Sequence, residues 1–155
     1  MSEGRSGVGF GPHLVFHGLR CPVSRLDDFE HLYQVLDDFP ERIHMTRIMP
    51  PYVLRHEVEG GAEKGFSGFV LIAQSHISIH TFPHKGLVSV DIFSFESFDV
   101  EDAIAELRQS FRPRRIEWQL LDRRSEFPRD IAGSRALVGQ ERRRVVSALG
   151  LGALR

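Results

Sequence analysis

The chain has 155 residues, 41% apolar and 26% charged, which suits one globular domain with one sizeable core. No apolar run approaches the ~20 residues that span a bilayer, and the Gly- and Ser-rich start lacks an apolar signal core, so the sequence argues against membrane insertion and secretion and for the cytoplasm. The single cysteine, Cys21, excludes an internal disulfide framework, and the net charge of -1 gives no overall bias toward nucleic acid.

Residues 1–11 read as a disordered start. Residues 13–17 form a first short strand. Ser24 and Asp27 make a capping-box-like pair, and Leu26, Phe29, Leu32, Tyr33 and Leu36 recur at helical spacing. This predicts a helix over residues 25–38, ended by Pro40. Residues 43–48 and 52–58 read as strands separated by Pro50 and Pro51. Residues 59–65, with three glycines, read as a flexible loop. Residues 66–73 are a near-continuous apolar run, predicting a buried strand. Residues 75–82 alternate, residues 83–86 carry turn chemistry, and residues 87–94 form the returning strand.

Asp99 is a plausible N-cap for a helix whose face is marked by Val100, Ile104, Leu107 and Phe111. Residues 116–121 form a last strand, and Trp118 is assigned to the core with the phenylalanines. Residues 140–149 suggest a loose terminal helix. Residues 131–155 form a basic tail: from 123 onward eight arginines face only Glu126, Asp130 and Glu141. No RNP, zinc-finger or helix-turn-helix signature accompanies the tail, so its plain reading is a solvated segment, with nucleic acid or an acidic partner as the rival. Hairpins outnumber regular βαβ units. The predicted class is α+β: a two-layer sandwich of an antiparallel sheet with helices on one face.

The stretch Gln74-Ser75-His76-Ile77-Ser78-Ile79-His80-Thr81-Phe82-Pro83 lies between two strand-like runs. His76, His80 and His84 recur every four residues. On a strand that spacing spans ~13 Å, too far for two ligands of one ion, so no metal site is expected. The stretch resembles the self-cleavage site of the short prokaryotic S-adenosylmethionine decarboxylases, and the looser similarity runs from about His13 to Pro128. The resemblance implies a domain over residues 12–130 that dimerises into a homodimer of processed chains. It implies cleavage between Gln74 and Ser75, with Ser75 converted to a pyruvoyl cofactor. In that chemistry the Ser75 hydroxyl attacks the Gln74 carbonyl, a base removes the Ser75 α-proton, and the ester leaves by β-elimination. The ketone left after hydrolysis forms a Schiff base with the amine of a small-molecule substrate.

By the same resemblance, His80 matches the histidine that assists processing, and Ser67 matches a serine that positions it. Phe82 matches an aromatic residue that contacts the adenosyl group. Three positions depart from the family pattern. Gln74 stands where glutamate is usual. His84 replaces an acid that would grip ribose hydroxyls. Phe95 stands where the family has its catalytic cysteine, and a phenyl ring cannot donate a proton to a carbanion; water, His80 or Ser94 would have to. Asp91 either orients a polar network in the sheet or faces solvent. The expected activity is a pyruvoyl-dependent decarboxylase of polyamine biosynthesis acting on S-adenosylmethionine. The alternatives are an arginine or ornithine decarboxylase of the same chemistry, and a non-catalytic relative acting as a binding or regulatory subunit.

Overall fold

A computed structural model describes residues 11–57 and 63–123. The expectations for residues 1–10, for most of the loop at 59–65, for the tail from 131 and for the helix at 140–149 lie outside these residues. Gly11–Leu121 forms one compact unit.

Strand β4 (Ser75–Phe82) shows how alternation builds the sheet. Ile77, Ile79 and Thr81 are buried, while His76, Ser78, His80 and Phe82 alternate with them on the other face and stay partly open. The buried Thr81 hydroxyl is satisfied because its Oγ1 accepts the Phe66 N–H at 3.0 Å. Neighbouring strands follow the same rule. β1 (Pro12–Leu19) buries Leu14 and Phe16, β3 (Lys64–Ile72) buries Phe66, Val70 and Ile72, and β5 (Leu87–Ser94) buries Val88, Val90 and Ile92. With β2 (Tyr52–Glu57) and β6 (Arg115–Asp122), the strands run in the order β2-β3-β4-β5-β1-β6. The pairings β2–β3, β3–β4, β4–β5 and β5–β1 are antiparallel.

Three helices cover the apolar face: α1 (Val23–Leu26), α2 (Phe29–Arg42) and α3 (Val100–Phe111). Leu32, Val35, Leu36 and Phe39 of α2 and Ala103, Ile104, Leu107 and Phe111 of α3 join the sheet residues in one core. The architecture is the expected α+β two-layer sandwich. None of the described helices is long and apolar enough to cross a membrane.

Six local expectations need correction. The helix expected over 25–38 is two helices, because the chain leaves helical geometry at Asp27 and Asp28. Asp28, not Ser24, caps α2: its carboxylate accepts the His31 N–H at 3.1 Å. Pro40 does not stop α2, which continues to Arg42. Proline's fixed φ is helical, and the Pro40 carbonyl accepts the Ile43 and Met45 N–H groups. Residues 43–48 are no strand: Ile43 is the C-cap of α2, His44 has φ 60°, and only Arg47 bridges to Ile72. Gly65 lies in β3 rather than in a loop, where a Cβ would come within 1.9 Å of the Thr81 carbonyl oxygen. Trp118 is 46% exposed on β6, an edge strand, rather than in the core. Asp28→Ala is expected to lower the unfolding free energy by about 1 kcal/mol in a urea titration; unchanged stability would mean the cap contributes nothing.

Candidate active site

The β3–β4 hairpin turns on two residues, Ala73 and Gln74. Two-residue hairpin turns demand positive φ, which glycine normally supplies. There is no glycine here, and the unusual dihedral falls on Ser75, at φ 152°. A non-glycine residue in that region stores on the order of 1–3 kcal/mol of strain. The strain therefore sits on the residue that follows the Gln74–Ser75 bond.

That bond is also polarised. The Gln74 carbonyl accepts the Phe95 N–H at 2.9 Å. An attack on this carbonyl would place negative charge on its oxygen, where a fixed donor already points. The Gln74 side chain is engaged elsewhere, its Oε1 accepting the Thr46 N–H at 3.3 Å. Ser75 Oγ lies 3.2 Å from His76 Nδ1. Across the ladder Ser75 faces Ser94, which is fully buried and whose Oγ accepts the Glu96 N–H at 3.0 Å. A cavity of about 160 Å³ opens beside Gln74, lined by His44, Met45, Ser94, Glu96 and Phe98 among others.

A second cluster forms at the far end of β4. Ser67 and His80 are register partners, and Ser67 Oγ is 2.9 Å from His80 Nδ1. The same Oγ is 3.2 Å from His56 Nδ1. Fixing Nδ1 of His80 in this way leaves Nε2 as its outward nitrogen. Phe82 lies beside this group, with the His56 ring edge-on at 5.9 Å and the Lys85 ammonium 5.5 Å from its centroid. His84 is exposed on the short 3₁₀ turn that follows. The Lys85–Glu63 ion pair holds the Glu63 carboxyl below its ordinary range.

Thus Ser67, His80, Phe82 and His84 gather at one end of β4, and Gln74, Ser75 and Phe95 at the other. Ser75 and His80 are five strand positions apart, roughly 17 Å, so His80 does not reach Ser75 within one chain. Phe95 is 53% exposed, and its ring meets Phe93 edge-on at 5.4 Å. Cys21 cannot substitute for a cysteine at 95. Its N–H bonds the Gly86 carbonyl just before β5, whereas Ser75 lies beside the other end of that strand. Burial also pushes the Cys21 thiol up to about 11, so it stays neutral near pH 7.

Sequence reasoning missed His56 and left the contacts of Asp91 and His76 unread. His56 joins Ser67 and His80 only through the β2–β3 register, which no local pattern encodes. Asp91, left open as a network residue, pairs with His13 Nε2 at 2.9 Å across β5–β1. His76 follows Ser75 directly in sequence, and its ring lies against the Ser75 hydroxyl. Among the described residues, no three His, Cys, Asp or Glu side chains are grouped to hold a metal ion.

Comparison with known proteins matches residues 12–124 to the family model described as S-adenosylmethionine decarboxylase. The chain is 33% identical over 112 residues to the S-adenosylmethionine decarboxylase proenzyme of Thermoplasma acidophilum, covering 70% of this chain and 79% of the relative. It is 30% identical over 108 residues to the proenzyme of the same name from Clostridium botulinum strain Loch Maree, covering 69% of this chain and 88% of the relative. The crystal structure of the adenosylmethionine decarboxylase from Aquifex aeolicus superimposes with a TM-score of 0.60 at 26% identity, covering 74% of this chain and 91% of that one.

Proposed function

This chain belongs to the S-adenosylmethionine decarboxylase family, and from that premise we propose that it is a self-cleaving, pyruvoyl-dependent decarboxylase of S-adenosylmethionine. The observation that carries the proposal is the Gln74–Ser75 bond: a strained serine follows a carbonyl already held by the Phe95 N–H. A strained peptide with an oxyanion donor in place fits the making of a pyruvoyl group at position 75. When formed, that group supplies an electrophilic ketone that accepts the substrate amine and draws in electrons as carbon dioxide leaves. The relatives compared are S-adenosylmethionine decarboxylases or their proenzymes by name and lend no support to the arginine or ornithine alternative or to a non-catalytic subunit.

The remaining roles rest on the family resemblance, with distance deciding which copy supplies each residue. Ser67 orients His80 through Nδ1, and the outward Nε2 is the base for the Ser75 α-proton. Since His80 lies roughly 17 Å along the strand from its own Ser75, it serves the Ser75 of a second copy. A two-fold pair laid open face to open face and reversed end for end brings each His80 toward the other Ser75. Tyr52, Leu54, Phe69 and Leu71 are exposed and offer apolar area for such a pair. Phe82 and His84 travel with His80 and contact the substrate from the second copy. Phe82 offers a ring face to the adenosyl group, and His84 offers a hydrogen-bonding ring where a carboxylate is usual.

Release of carbon dioxide from carboxyl-labelled S-adenosylmethionine tests the assignment. Release from arginine or ornithine alone would overturn it. Phe95→Cys is expected to raise turnover by ~10²-fold, the low end of what a positioned acid contributes. An unchanged rate would show that another group already delivers the proton.

A further inference from the structure

The cleavage reading leaves one task unassigned. Before the Gln74 carbonyl can be attacked, a base must take the Ser75 Oγ proton. His80, Ser94, Asp91 and the Gln74 side chain are poorly suited to it. His80 is roughly 17 Å away along β4 and tied to Ser67. The Ser94 hydroxyl is buried and bonded to the Glu96 N–H. Asp91 is bonded to His13. The Gln74 amide is not basic. Among the described residues, the His76 ring places a nitrogen at hydrogen-bond distance from the nucleophile, 3.2 Å from Nδ1 to Oγ.

Adjacent strand residues normally point to opposite faces and do not meet. Ser75 and His76 meet because φ 152° at Ser75 breaks the alternation at the first residue of β4. The strained dihedral therefore does two things: it loads the scissile peptide, and it brings the hydroxyl to the neighbouring imidazole. The ring is braced from the other side by Phe93, edge-on at 5.9 Å.

We propose that His76 is the general base that starts self-cleavage. This rests on Ser75 being the cleavage serine. His76 Nδ1, unprotonated, accepts the hydrogen bond that the Ser75 hydroxyl donates. As Oγ bonds to the Gln74 carbonyl carbon, the proton passes to Nδ1 and the carbonyl oxygen takes up negative charge beside the Phe95 N–H. The carbonyl then re-forms, the C–N bond breaks, and Nδ1 hands the proton to the Ser75 nitrogen. The product is an ester between the Gln74 acyl group and Ser75 Oγ, with a free amine on Ser75. Nothing is oxidised or reduced, and no water is consumed in this step. His76 thus acts before the elimination step assigned to His80.

The test follows cleavage, not decarboxylation. Full-length wild type, His76→Ala, His76→Gln, His80→Ala and Ser75→Ala chains are made by cell-free translation and sampled over time by intact mass, with and without neutral hydroxylamine, which cuts esters. His76→Ala is expected to cleave at least ~10²-fold more slowly than wild type, to resist hydroxylamine, and to speed up when imidazole is added. His80→Ala is expected to stall as an ester that hydroxylamine splits. The inference is overturned if His76→Ala cleaves at the wild-type rate, or if it stalls as a hydroxylamine-sensitive ester, which would put His76 after the shift. It is equally overturned if His76→Gln restores full speed, which would make the residue a positioning group. Matched thermal unfolding of the histidine variants shows that the fold is kept. A wild-type chain as inert as Ser75→Ala would instead bring down the cleavage reading itself, and this inference with it.

Discussion

Ser75→Ala is expected to leave a single uncut chain of 155 residues with no decarboxylase activity. On the proposed mechanism the substitution removes the oxygen that attacks the Gln74 carbonyl, so the loss is complete rather than graded. Stability should barely move. Among the described residues the Ser75 hydroxyl meets His76, beside the turn of the β3–β4 hairpin, and deleting such a bond costs about 1 kcal/mol. The φ of 152° remains, so the strain remains. Intact mass gives the cleavage result and a urea titration gives the stability. A Ser75→Ala chain that still splits at this bond would end the assignment of Ser75. One that unfolds would show that the hydroxyl is structural.

Gly11→Ala should have the second largest effect, and it tests the oxyanion donor indirectly. Gly11 runs against the end of β5, where a Cβ would lie 2.0 Å from the Ser94 carbonyl oxygen and 3.0 Å from the Phe95 carbonyl carbon. Both are backbone atoms, so the methyl group fits only if the β5 end moves. Overpacking of this kind costs about 1–3 kcal/mol. The displaced residues are the ones beside the proposed cleavage bond: Ser94 pairs with Ser75, and the Phe95 N–H holds the Gln74 oxygen. Loss of one oxyanion donor slows a reaction by ~10²–10³-fold. The expected result is a folded, less stable chain that cleaves far more slowly. Cleavage at the wild-type rate in a destabilised variant would separate the Phe95 N–H from the chemistry.

Much of the fold was legible because it follows simple periods. Alternation in residues 75–82 separates Ile77, Ile79 and Thr81 from His76, Ser78, His80 and Phe82, and the sheet keeps that division. Helical spacing found the buried faces of α2 and α3. What failed were competitions between similar local signals. Ser24 and Asp28 both suit a cap, and the break at Asp27 decided for Asp28. Gly65 looked like loop flexibility but serves a close approach to the Thr81 carbonyl.

The candidate site was legible as a motif and not as an arrangement. The run from Gln74 to Pro83 named Ser75 and His80 together, yet a strand holds them roughly 17 Å apart. Their separation moves the expected dimer from an incidental feature to a requirement of the proposed chemistry. Other contacts depend on register between distant segments. The Ser67–His80 bond, the His56 contact and the Phe95 N–H on Gln74 join residues 11 to 21 positions apart. The one short-range contact, Ser75 with His76, needs a backbone dihedral that strand periodicity argues against.

The measurement that tests the central claim most directly is the intact mass of purified wild-type protein under denaturing conditions. Two fragments are expected: residues 1–74 ending in a free carboxylate, and residues 75–155 lighter than their sequence by one ammonia, as a pyruvoyl end requires. A single uncut chain of 155 residues, stable over days, would contradict it.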